Sequence, residues 1–183
     1  MTREQAHSLI LMNGARAFQF GVRAQIMDES EFERKTLANI EEFGCSVLHI
    51  AAEDDLPPFS YSVGITKTSK APELVVIGLK QPIAHFIVNE YNKRVRSGEQ
   101  FVSGNRYSDF IEGFEVQAQT VEPSFYSEYF GYNLWLYDGP NFEVLQFIYP
   151  TTAGVWPWEL GASEWFRSNQ PILSTKSIEN NAR

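Results

Sequence analysis

Leu74 to Ile77, within "PELVVIGL", is an unbroken run of four apolar residues, three of them β-branched. Successive side chains of a strand point to opposite faces of its sheet. A run with no polar residue on either parity has both faces covered, so the chain must build a layer on each side of it. This predicts a central strand. Just upstream, "EDDLPPFSYSVGI" alternates large and small residues. Phe59, Tyr61 and Val63 share one face, and Ser60, Ser62 and Gly64 share the other. The large face enters the core. The small face lets a helix or a ligand approach the backbone closely. Pro57 and Pro58 cannot donate to a ladder and mark the strand's start. Asp54 and Asp55 can bond nearby amides in the turn before them. "TKTSKA" then links the two strands, a polar segment longer than a tight hairpin.

The helices follow from spacing. "SEFE", Ser30 to Glu33, matches a capping box. Phe32, Leu37, Ile40 and Phe43 recur near helical spacing and Gly44 can end the helix, which predicts a helix from about Glu31 to Phe43. "CSVLHIAAE" reads as the first strand. Pro82 suits the first turn of a second helix. There Ile83, Ile87, Tyr91 and Val95 fall near one face, and His85, Asn89, Asn92 and Arg96 near the opposite one. "FEVQAQTVE" and "FEVLQFIYP" are further strands. "PSFYSEYFGYNLWLYDG" begins like a helix with Ser124 as its cap. "GVWPWELG" is a loop, and "SEWFRSNQ" is a short helix that Pro171 stops.

A length of 183 residues suits one domain, and 43% hydrophobic with 21% charged residues is a globular composition. The expected architecture is a single α+β domain, with a mainly antiparallel sheet of five to six strands packed with three to four helices. A split-barrel-like curl is an allowed variant. Residues 1–30 are an N-terminal helix or arm, 31–173 the domain and 174–183 a polar tail. The apolar run from Leu9 to Met12 is too short for a signal sequence, and no run approaches membrane-spanning length. Cys45 is the only cysteine, so no intrachain disulfide forms. The cytoplasm is the expected compartment. A net charge of -8 repels phosphate backbones and argues against nucleic acid as a partner.

Familiar catalytic signatures are absent: no phosphate loop, no GxSxG elbow, no HExxH and no GxGxxG. Four groupings remain as candidate sites. His49, Asp54 and Asp55 offer an imidazole and carboxylates to a cation, but without a recognised ligand spacing; a solvated acidic loop is the plainer reading. Ser60, Ser62 and Gly64 with Thr66, Lys67, Thr68 and Ser69 offer a small-residue face beside a hydroxyl-rich link, suited to a flavin or a nucleotide. Tyr129, Tyr132, Trp135, Trp156 and Trp158 offer aromatic surface to a partner, or wedge a helix onto the sheet. The polar stripe His85, Asn89, Asn92 and Arg96 could hold an anion, although the wet face of an amphipathic helix explains it more simply.

In order and spacing, "PPFSYSVGI", "PELVVIGL", a Pro-started helix ending "RVRSGEQF", "LQFIYP", "WPWELG" and "QPIL" resemble the bacterial family called domain of unknown function 4262. The likeness runs from about Thr36 to Leu173. It implies a compact soluble domain of bacterial or phage type and no agreed activity, so it transfers no catalytic residues. More faintly, "YSVGITKTSKAPELVVIGL" is similar in rhythm to a unit of flavin reductase-like split barrels. That likeness implies Ser62, Thr66, Thr68 and Ser69 as hydroxyls for FMN, with Lys67 or Lys70 for its phosphate.

The expected function is a non-catalytic interaction protein, immunity-like or regulatory, docking a basic partner protein through an acidic, aromatic-rich surface. No cofactor is expected. The alternatives are a flavin- or nucleotide-binding domain and, after it, a metal-dependent hydrolase.

Overall fold

The structure is a computed structural model. It describes residues 29–53 and 56–174. Residues 1–28 of the expected N-terminal helix or arm, with His7, and Asp54, Asp55 and all of the tail but Ser174 fall outside those residues. One six-stranded sheet forms the centre, in the order β1-β2-β3-β6-β5-β4. Its strands are β1 (Ser46–Ile50), β2 (Phe59–Val63), β3 (Glu73–Ile77), β4 (Arg106–Ile111), β5 (Phe114–Thr120) and β6 (Val144–Ile148). All neighbours are antiparallel except β3 and β6, which run parallel at the middle. The sheet is open. It does not close into a barrel, so the split-barrel curl is not adopted.

β3 lies between β2 and β6 and every one of its residues is buried. This is the central strand that the apolar run demands. Its two faces meet two separate cores. One gathers Leu74 and Val76 with Ile87, Tyr91, Phe110 and Phe147. The other gathers Val75 and Ile77 with Phe59, Tyr61, Val63, Phe130 and Leu134. The large face of β2 therefore enters the second core, as its alternation requires.

Six helices accompany the sheet among the described residues: α1 (Glu29–Phe43), α2 (Ile65–Ser69), α3 (Gln81–Arg96), α4 (Tyr126–Tyr129), α5 (Gly131–Leu136) and α6 (Glu164–Asn169). α1 begins one residue before Ser30 rather than after it. Of its spaced apolar residues Ile40 is buried, while Leu37 and Phe43 are exposed. α3 buries Ala84, Ile87, Val88, Tyr91, Asn92 and Val95. Ile87, Tyr91 and Val95 of the expected stripe are thus buried, while Ile83 is exposed and Asn92, expected on the opposite face, is buried. In α6, Ser163 caps the first turn by accepting from the Phe166 amide at 3.2 Å.

Two expectations change. The polar link after β2, expected only to be longer than a tight hairpin, forms the short helix α2. The aromatic segment is a 3-10 turn (Pro123–Phe125) followed by α4 and α5, and no side chain caps that turn. Its rings are core material: Tyr126 stacks on Phe142 with centroids 4.6 Å apart, and Phe130 meets Tyr61 edge-on.

Candidate functional site

The small-residue face of β2 is filled from within the chain. Ser60 and Ser62 are buried beneath α3. Gly64, at φ 113°, has no room for a side chain, because a Cβ there would stand 2.6 Å from Ile40. What occupies the polar space beside Ser62 is a carboxyl group, that of Glu73. Ser62 Oγ donates to it at 2.5 Å, the amides of Gly64 and Thr66 donate at 3.0 and 3.1 Å, and the Tyr137 hydroxyl donates to the same oxygen as those amides. Glu73 thus caps the start of α2 from downstream, in a place where no local side chain does so. Burial pushes its carboxyl above the ordinary carboxylate range, against the pull of these four donors. The same burial, with Glu73 nearby, raises the Tyr137 hydroxyl.

The link hydroxyls are also engaged. Thr66 Oγ1 donates to the Ala71 carbonyl at 3.0 Å and Thr68 Oγ1 to the Gly44 carbonyl at 2.8 Å. The Lys67 amide faces Tyr137, and Lys70 Nζ reaches back to the Lys67 carbonyl. Thr68 and Ser69 line a depression of about 370 Å³ with Arg96 and Gly98. It does not include Ser60, Ser62 or Gly64. Arg96 and Asn92 both donate to the Phe43 carbonyl, at 2.8 and 2.9 Å, and so close the C-terminus of α1. The lower half of the polar stripe on α3 therefore has a structural task.

Of the aromatic candidates, Tyr129 and Trp156 are buried. Tyr132, Trp135 and Trp158 are half-buried. Tyr132 packs against Phe32, and Trp158 stacks on Trp156 at 5.0 Å while Arg106 lies over the Trp156 ring. Burial, chiefly, pushes the Cys45 thiol up to about 12, which leaves it a packing residue. No group of three or more His, Cys, Asp or Glu side chains is gathered for a metal among the described residues. No described helix is long and apolar enough to cross a membrane.

A further concavity lies elsewhere, between α3 and the β4–β5 hairpin. It encloses about 690 Å³ and is lined by Phe86, Ile111, Phe114, Asp109, Glu112 and Glu115, among others. Phe86 is 55% exposed, although it is a large apolar ring on a well-packed helix. Asp109 holds φ 69°, a left-handed conformation rare outside glycine, and the β4–β5 register shifts between Tyr107 and Ile111. Arg94, next to this groove, is not free to neutralise it. Its guanidinium grips Glu99 through two bonds of 2.6 and 2.5 Å and lies over the Phe110 ring. These bonds hold the Glu99 carboxyl below its usual range. Sequence reading missed the groove because its walls come from segments some twenty residues apart. An exposed Phe86 beside the polar face of α3 was the available signal.

No curated protein and no solved structure matches this chain. A family model does, over residues 39–163, inside the span of the resemblance and covering β1 to the start of α6. That match takes in more than half of the chain, every strand of the sheet, the buried Glu73 cradle and the α3–hairpin groove, and by it the chain belongs to the family described as domain of unknown function (DUF4262).

Proposed function

We propose that the domain is a non-catalytic binding module that takes a basic segment of a partner protein in the groove between α3 and the β4–β5 hairpin. The observation that carries this reading is the exposed Phe86 ring on the wall of a 690 Å³ groove that also presents Asp109, Glu112 and Glu115. Lysine and arginine have aliphatic stems that cover apolar surface and cationic heads that seek carboxylates. A groove with Phe86, Ile111 and Phe114 for the stems and three carboxylates for the heads suits both parts. A cation over an exposed ring adds further attraction. The net charge of -8 would steer such a segment in from a distance. The irregular backbone at Asp109 also fits a binding role, because strain and bulges gather where side chains are re-aimed. This keeps the acidic, aromatic-rich surface expected from the sequence, but moves it away from Tyr129 and Trp156.

The test is titration of the full chain with a lysine- and arginine-rich peptide and with a glutamate-rich peptide of equal length, at low and moderate salt. The basic peptide is expected to bind, and to bind more weakly as salt rises. Phe86→Ser, and separately the double variant Glu112→Gln/Glu115→Gln, should each weaken binding by about tenfold. Equal binding of the two peptides, or full affinity in both variants, would reject the reading.

A further inference from the structure

Outside the groove, the two described histidines meet. His49 lies in β1 directly opposite Ser60 of β2, so the two side chains share one face. His85 reaches the same place from the first turns of α3. His49 Nδ1 is 2.7 Å from Ser60 Oγ, and His49 Nε2 is 3.2 Å from His85 Nδ1. The ring centroids are 5.3 Å apart and the planes are tilted by 39°.

We infer that His49 and His85 form a two-histidine site for a divalent transition-metal ion, with its remaining positions open to water or to a ligand from outside the chain. Two nitrogens each bound to one tetrahedral ion at about 2.0–2.1 Å lie roughly 3.4 Å apart, close to the spacing observed here. Ring nitrogens that bind metals usually leave the other nitrogen of the ring donating to a fixed acceptor, which sets the tautomer. Ser60 supplies that acceptor to His49. With its proton on Nδ1, His49 turns the Nε2 lone pair toward His85 Nδ1. Two lone pairs face each other comfortably only with a cation or a proton between them. Both residues sit on regular elements, so the pair is held in place. His85 is solvent-exposed, which gives an ion an entry path and room for water. Imidazole donors select copper, nickel and zinc over calcium and magnesium. The competing arrangement is a hydrogen-bond chain running from Ser60 through His49 to His85, with no ion.

The experiment uses the full chain, stripped with chelator and dialysed, then titrated with Cu²⁺, Ni²⁺ and Zn²⁺ by calorimetry. The copper-loaded protein is examined by electron paramagnetic resonance. One equivalent is expected to bind, tightest for Cu²⁺, with nitrogen hyperfine structure from two imidazoles. His85→Ala should weaken binding by about tenfold or more. Because that residue is exposed, the metal-free variant should keep the parent's circular dichroism and melting temperature. His49→Gln should do the same to binding, whereas His7→Ala, which removes the third histidine of the chain, should not. The absence of saturable binding for all three ions would establish the hydrogen-bond chain instead. Parental affinity in His85→Ala would overturn the site as well.

Discussion

A carboxyl group with no exposed surface has to be matched by donors or be neutral, and Glu73 is placed to test both. Removing it by Glu73→Ala would leave the Gly64 and Thr66 amides and the Ser62 and Tyr137 hydroxyls short of a partner. The expected cost is about 3 kcal/mol or more in urea unfolding. Glu73→Gln keeps the shape and an acceptor oxygen but cannot ionise. Because the folded carboxyl is raised above its ordinary 4.5, protonation is easier in the folded state. The associated stability is fully present below 4.5 and is lost as pH rises through the folded value. The stability of Glu73→Gln relative to the parent should therefore grow as pH climbs above 4.5. A difference that stays constant with pH would contradict the raised value. None of this was legible in the sequence, where Glu73 reads only as the polar residue before an apolar strand. Its donors come from positions 62, 64, 66 and 137, and no spacing rule connects them.

Elements that declare themselves by periodicity were legible, and those held by distant side chains were not. β2, β3 and α3 announce themselves through alternation, a continuous apolar run and a Pro-started amphipathic pattern. α2 did not, because the group that caps it lies downstream in β3. The buried stripe of α3 was legible at Ile87, Tyr91 and Val95 but not at Ile83, which is as apolar as its buried neighbours and is distinguished only by packing. The end of β3 shows what such packing requires. Gly78 has φ 82°, and a Cβ there would stand 2.2 Å from the Asn169 carbonyl oxygen of α6. The Asn169 side chain donates to the Gly78 carbonyl at 3.1 Å. Gly78→Ala should therefore displace α6 and cost about 3 kcal/mol or more, read as a lower midpoint in thermal unfolding. Gly113, with open space around it, carries only the backbone penalty and is the comparison. Equal losses at the two positions would mean that the α6 contact is unimportant.

For the whole molecule, the two cores share one sheet. β2, β3 and β6 each contribute side chains to both faces or bridge strands that do, so neither core can be lost alone. Chemical unfolding should then be a single transition, with tryptophan fluorescence and far-ultraviolet circular dichroism superimposing. Separated midpoints would show that one layer melts independently. The overall class, an α+β domain around a mostly antiparallel sheet, was readable from composition and pattern. The parallel contact at its centre was not, because β3 and β6 are more than sixty residues apart and each reads simply as a buried strand.

That parallel contact has a bearing on how the chain is made. Strands emerge during synthesis in numerical order, so β1, β2 and β3 can assemble as a meander long before β6 exists. Until residues 144–148 appear, the far edge of β3 is an unpaired ribbon, apolar from Leu74 to Ile77, the kind of edge that recruits other chains. Even then the seam is not finished. Gln146 of β6 bonds the Pro171 carbonyl and the Leu173 amide at 2.7 and 2.9 Å, and these partners are among the last described residues to be made. The ribosome thus releases most of this domain before its middle can close, and a nascent chain stalled between β3 and β6 would be the form of this protein most in need of a chaperone.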